Sequence, residues 1–223
     1  TKLVVSVSDT PVVNEGQDLV YTVTLTGGTS PNPIVVPVTY TGTALDGSDY
    51  TKTVDVTIPA NGTTATLTVK TKTDTLLEGD ETVTVTLKSG TDYTVSPTQG
   101  NTTGTIKDLT QLTVLIDDAP EQPEGTGLVY LVRLVGGTSP TDITVPLTYG
   151  GTGTPVLDYD GNPVQVVIKA GETSTTVTVP TKTDTLLEGD EIVIVTVGAP
   201  TGAPANTPVF LGIGDTGTGT IKD

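Results

Sequence analysis

Leu19-Val20-Tyr21-Thr22-Val23-Thr24-Leu25-Thr26 places a large apolar side chain at every second position and mostly threonine between them. Successive side chains of a strand point to opposite faces, so this period of two marks a strand with one buried and one wet face. The same pattern returns over 64–70, where Ala65, Leu67 and Val69 alternate with Thr64, Thr66, Thr68 and Lys70. It returns again over 82–88, where Val83, Val85 and Leu87 alternate with Thr82, Thr84, Thr86 and Lys88. Less regular apolar runs at about 2–8, 34–40, 52–58 and 102–107 complete a set of seven, separated by Gly, Pro, Asn and Asp clusters. Seven short strands with turn signals between them predict an antiparallel, immunoglobulin-like β-sandwich.

The chain then repeats itself. Lys-Thr-Asp-Thr-Leu-Leu-Glu-Gly-Asp-Glu occupies 72–81 and returns unchanged at 182–191; Gly-Gly-Thr-Ser-Pro stands at 27–31 and 136–140, and Gly-Thr-Ile-Lys-Asp at 104–108 and 219–223. Leu128, Tyr130, Val132 and Leu134 answer the Leu19 series. A period of about 110 residues is the size of one sandwich domain. The expectation is an all-β chain of two tandem seven-stranded sandwiches, residues 1–108 and 109–223, with only about three residues between the last strand of one and the first of the next.

Composition narrows the functions available. The 223 residues include 26 acidic and 10 basic side chains, for a formal net charge of −16. Such a field repels phosphate backbones and anionic lipid, so no nucleic-acid partner is expected, and it attracts cations. Cys, Met, His and Trp are absent, which removes disulfides, soft-metal and imidazole zinc sites, and the usual nucleophile and general base. No apolar run of about 18 residues exists to cross a membrane as a helix, so no membrane insertion is expected. Paired carboxylates can run glycoside hydrolysis, but two small modules without tryptophan offer no evident cleft or aromatic subsites. No enzymatic activity is expected.

Strand parity gathers the acids. If each connection carries the chain across the sandwich, loops after the first, third and fifth strands share an end with the close of the seventh. Asp9, Glu15, Asp18, Asp46, Asp49, Asp74, Glu78, Asp80, Glu81 and Asp108 fall at that end, whereas Asp92 falls at the other. In the second repeat Asp142, Glu172 and Asp215 are the exceptions. Crowded carboxylates raise one another's pKa unless a cation intervenes, and calcium accepts six to eight hard oxygens in forgiving geometry. Asp74 and Glu78, in one loop, are placed to close around an ion reached by Glu15, Asp49 and Asp108. Leu76-Leu77 and Leu186-Leu187 are expected to plug the end of the core beneath that loop. Gly79 and Gly189 are expected at turn positions of unusual backbone angle. Lys72 and Lys107 are expected to pair with the acidic pole, and Tyr50 and Tyr159 to pack under it.

Glu15-Gly16, Asp49-Tyr50, the Asp-x-x-x-Glu-Gly-Asp-Glu loop and the terminal Gly-Thr-Ile-Lys-Asp together resemble Calx-beta modules. These modules occur in sodium–calcium exchangers, in integrin β4 and in very large bacterial surface proteins. The resemblance covers both halves and implies calcium ligands at Glu15, Asp49, Asp74, Glu78 and Asp108, and at Glu124, Asp158, Asp184, Glu188 and Asp223. The exchanger modules carry paired aspartates where this chain has Thr73-Asp74, and an aspartate run where it has Asp108-Leu109-Thr110, so one or two ions are expected per site rather than four. The threonine-rich tandem style resembles the extender region of giant bacterial adhesins of the repeats-in-toxin type. That resemblance implies an extracellular, cell-surface or biofilm role as a monomeric rod. Its partners would be neighbouring repeats of the same chain, with Ca2+ rigidifying the junctions between them. The alternative is a module that recognises a carbohydrate or a protein receptor.

Overall fold

Threonine-flanked alternation becomes sheet throughout: a computed structural model describes residues 2–223, and none of them lies in a helix. The first repeat forms β1 (Leu3–Ser8), β2 (Val12–Asn14), β3 (Leu19–Thr26), β4 (Ile34–Gly42), β5 (Tyr50–Thr51), β6 (Asp55–Ile58), β7 (Thr64–Thr71), β8 (Glu81–Leu87), β9 (Tyr93–Val95) and β10 (Asn101–Lys107). One sheet runs β5-β7-β3-β1-β9 and the other β2-β10-β8-β4-β6. Register explains why the apolar positions share a face. Leu19 pairs with Val69, Tyr21 with Leu67 and Val23 with Ala65, so both alternations point inward together. Their partners across the sandwich include Val36, Ile58, Val83 and Val85, all buried.

The seven expected strands are all present, and the differences lie at the edges. The first run ends before Asp9-Thr10-Pro11, where Asp9 has φ 77°, and a further short strand, β2, follows. β1 therefore joins one sheet and β2 the other, where β2 lies parallel to β10. The expected 52–58 strand shortens to β6, because Tyr50-Thr51 instead pair with β7 in the opposite sheet. β9, three residues long and parallel to β1, is too short to show a period.

The second repeat forms β11 (Leu112–Ile116), β12 (Gln122–Pro123), β13 (Leu128–Val135), β14 (Ile143–Gly151), β15 (Gln165–Ile168), β16 (Ser174–Val179), β17 (Glu191–Val197), β18 (Val209–Leu211) and β19 (Thr216–Lys222). Its sheets run β16-β13-β11-β18 and β12-β19-β17-β14-β15. In both repeats one tyrosine bridges the two sheets. Tyr21 Oη donates to the Val83 carbonyl at 3.2 Å, and Tyr130 Oη to the Val193 carbonyl at 2.9 Å. The glycine of Gly-Thr-Ile makes room for it: a Cβ at Gly104 would stand 2.5 Å from Tyr21 Oη, and one at Gly219 would stand 2.6 Å from Tyr130 Oη.

The chain packs as two compact units. The first holds Gly79–Leu109 and the chain up to Asp74; the second holds Thr110–Asp223 together with the tip Thr75–Glu78 of the repeated acidic loop. Within the second unit Leu77 is 2% exposed and belongs to the core formed around Leu112, Leu128 and Ile143.

Candidate metal centre

Asp49 and Asp158 are built into the same turn. The Asp49 amide donates to the Leu45 carbonyl at 3.0 Å, and the Leu45 amide donates back to Asp49 Oδ2 at 2.5 Å. Asp158 does the same with Thr154, at 3.0 and 2.5 Å. The following tyrosine, Tyr50 or Tyr159, is buried in the core, so alternation turns each aspartate toward the end of the sandwich. Each is itself nearly enclosed, Asp49 at 7% and Asp158 at 9% exposure. In each, Oδ2 is tied to the backbone of its own turn. The Asp49 and Asp158 carbonyls accept from the Lys72 and Lys182 amides, both at 2.8 Å, which stitches this turn to the start of the acidic loop.

The acidic loops close over that turn. In the first repeat, carboxylate oxygens of Asp49, Asp74 and Glu78 lie within 4.8 Å of one another. The Gly79 amide donates to Asp108 Oδ2 at 2.7 Å, and the Glu15 amide to the Lys107 carbonyl at 3.2 Å. Asp108 and Glu15 are thereby held at the same pole. In the second repeat, carboxylate oxygens of Asp158, Glu188 and Glu191 lie within 4.8 Å of one another. The Asp184 amide donates to Glu124 Oε2 at 3.4 Å, and the Glu188 and Gly189 amides donate to Asp223 Oδ2 at 2.9 and 3.1 Å. Gly79 and Gly189 take φ of 82° and 85°, as the turn reading requires.

In the second repeat the carboxylates crowd one another. Desolvation raises the Glu188 carboxyl, and the negative charges of Asp184, Asp158, Glu124 and Asp223 raise it further. Those five residues are the full second-repeat set expected from sequence. Glu191 is pushed up to about 7, by desolvation first and then by Asp158, Glu188 and Glu124. Sequence reasoning did not name Glu191 as a ligand. It opens β17 and pairs with Ile221, so it reads as a strand residue, although as the last acid of Glu-Gly-Asp-Glu it carried a signal.

Other acids take other partners. Asp9 does not join the pole cluster: its carboxylate accepts from the Thr22 amide at 2.9 Å on the flank of the sheet. Asp18 pairs with Lys70 at 3.1 Å, Asp46 with Lys52 at 2.7 Å, and Asp80 with Lys107. Lys72 donates to the Gly47 carbonyl. The leucines depart from expectation. Leu77 is core in the second compact unit, whereas Leu186 and Leu187 are 62% and 96% exposed and plug nothing.

The Calx-beta domain model matches residues 1–120 and again 121–222. The chain belongs to the Calx-beta family. Among solved structures, the tandem Calx-beta chain resembles CBD12 from CALX1.2 at 19% identity and a TM-score of 0.45, covering 98% of this chain and 99% of that one. It resembles the calcium binding domain CBD12 of CALX1.1 at 17% identity and a TM-score of 0.42, covering 98% and 99%. The apo-form Calx CBD1 domain aligns at 18% identity and a TM-score of 0.44, covering 51% of this chain and 97% of that one. No curated protein matched. Chemically, each Calx-beta repeat offers a cluster of hard oxygens without nitrogen or sulfur donors, a set suited to calcium rather than to zinc or copper.

Proposed function

We propose that each Calx-beta repeat binds calcium through its acidic pole, at Glu15, Asp49, Asp74, Glu78 and Asp108 and at Glu124, Asp158, Asp184, Glu188, Glu191 and Asp223. The observation that carries this reading is the second-repeat cluster. Four carboxylates separated in sequence, Glu124, Asp158, Asp184 and Asp223, repel Glu188 together, and Asp158, itself buried, is already oriented by the Thr154 amide. A divalent ion removes that repulsion.

The physiological role that fits such modules is structural. The chain serves as calcium-stabilised spacer repeats of an extracellular cell-surface adhesin, with calcium ordering the acidic loops and stiffening the passage from one repeat to the next. The alternative, a sugar- or receptor-binding module, finds less support. A shallow concavity of about 310 Å³ in the first repeat is lined by Tyr40, Asp46, Tyr50 and Lys52. Yet Tyr50 is 4% exposed and the Tyr40 hydroxyl is held by the Thr53 carbonyl at 2.7 Å, so neither ring is presented as a stacking platform.

Titration calorimetry on chelator-treated chain should show a saturable heat with calcium. The melting temperature should rise with calcium, and scattering-derived length should become better defined. No heat and no thermal shift would remove calcium binding. A thermal shift without change in length would leave binding intact and remove the stiffening role.

A further inference from the structure

We propose that Leu186-Leu187 is a docking tip for a second copy of this chain, and that it seats on the Gly27–Ser30 edge of that copy, so that copies associate head to tail. The inference rests on two identical sequence elements found in different states, and it does not depend on an ion being bound.

The seated state is visible in the second compact unit. The Leu77 amide donates to the Thr138 carbonyl at 2.9 Å, and the Thr138 amide donates to the Thr75 carbonyl at 2.9 Å. Leu77 is 2% exposed within the core. The receiving edge is Gly136-Gly137-Thr138-Ser139, and Gly137 is required there, because a Cβ on it would stand 1.9 Å from the Thr75 carbonyl. Ser139 is 1% exposed.

Both halves of this contact recur elsewhere without a partner. The tip Thr185-Leu186-Leu187-Glu188 has the sequence of Thr75–Glu78, yet Leu187 is 96% exposed. The edge Gly27-Gly28-Thr29-Ser30 has the sequence of 136–139 and the same left-handed glycines, with φ 88° and 141° against 107° and 156°. A Cβ on Gly27 would meet the Lys2 carbonyl at 2.6 Å, much as one on Gly136 would meet the Gln111 carbonyl at 2.0 Å, so the two edges are built alike. A Cβ on Gly28, however, would meet nothing nearer than Leu3 Cδ2 at 3.6 Å. Gly27, Gly28 and Thr29 are exposed. Leu3 is half-buried, whereas its counterpart Leu112 beside the seated tip is 0% exposed. The first repeat thus carries an open socket and the second an open tip. Joining them between chains is a heterologous contact, which propagates rather than closing as a dimer. It lacks the covalent tether that raises the effective concentration of Thr75–Glu78, so it is expected to be weak.

Sedimentation velocity on the whole chain, with calcium and with chelator, tests this over concentrations up to about 1 mM, where a contact of millimolar Kd is substantially populated. Mean mass should rise with concentration beyond two chains. Leu187→Asp removes the tip at a solvent-facing position and should leave the chain monomeric with an unchanged melting curve. Gly28→Ala should block the socket, its fold being checked by circular dichroism; Leu187→Asp alone suffices if that variant unfolds. An equimolar mixture of the two variants retains one good tip and one good socket, and should form species of two chains and none larger. Wild-type chain that stays monomeric throughout, or association that survives Leu187→Asp, overturns the proposal.

Discussion

Asp158 shows how one side chain serves structure and site together. Its Oδ2 accepts from the Thr154 amide, which orients the group, and its carboxylate lies within 4.8 Å of those of Glu188 and Glu191. Asp158→Asn keeps a carbonyl oxygen for the Thr154 amide but removes the charge. The variant should fold normally and bind calcium in the second repeat roughly tenfold or more weakly, as calorimetry would show. Glu191 carries a pH signature. Its folded-state pKa of about 7 lies above the ordinary glutamate value of 4.5. A raised carboxyl contributes stability that is fully present below the unfolded-state pKa and is lost as pH rises through the folded-state one. The calcium-free chain should therefore melt at progressively lower temperature from about pH 5 to pH 8. Glu191→Gln should flatten that slope, and saturating calcium should reverse it. Melting curves in chelator and in calcium across that range decide the matter.

Strand packing depends on the Tyr–Gly contact across each sandwich. The Tyr21 hydroxyl occupies the space that any side chain at Gly104 would need. Gly104→Val should destabilise the first repeat by about 1–3 kcal/mol or more, through overpacking against a ring with no room to retreat, measurable by urea denaturation. This glycine stood in the repeated Gly-Thr-Ile-Lys-Asp, and the alternating runs at 19–26, 64–70 and 82–88 were legible because the period of two is a property of neighbouring residues. What escaped reading was short. Tyr93–Val95 has too few residues to alternate, and the sheet switch at Asp9-Thr10-Pro11 needs a left-handed backbone at a non-glycine residue. The carboxylate pole was legible from parity, since crossing the sandwich an even or odd number of times fixes the end at which a loop emerges. Asp9 escaped that rule because the kink turns it onto the flank, where it caps the Thr22 amide.

A chain carrying a net charge of −16 folds against its own repulsion, so its calcium-free form should gain stability from added salt. The two leucine tips give a sharper test of how the chain is assembled. Leu77→Ala removes a core side chain of the second compact unit and should cost about 2–5 kcal/mol there. Leu187→Ala alters a solvent-facing side chain of the dilute monomer and should stay within about 0.5 kcal/mol of wild type. Denaturant titration of both variants at low concentration measures the contrast. Equal effects would mean that the two tips share one environment.

Duplication, the sandwich class and the acid-rich pole were all written locally, in alternation, in repeated words and in the number of strand crossings. None of these needs a distant neighbour to be read. The fate of two identical Thr-Leu-Leu-Glu tips could not be read this way, because burial depends on what lies beside a segment and not on its own residues. The same reason hid Glu191: its neighbours Asp158 and Glu124 come from other loops, and only folding brings their charges to bear on it.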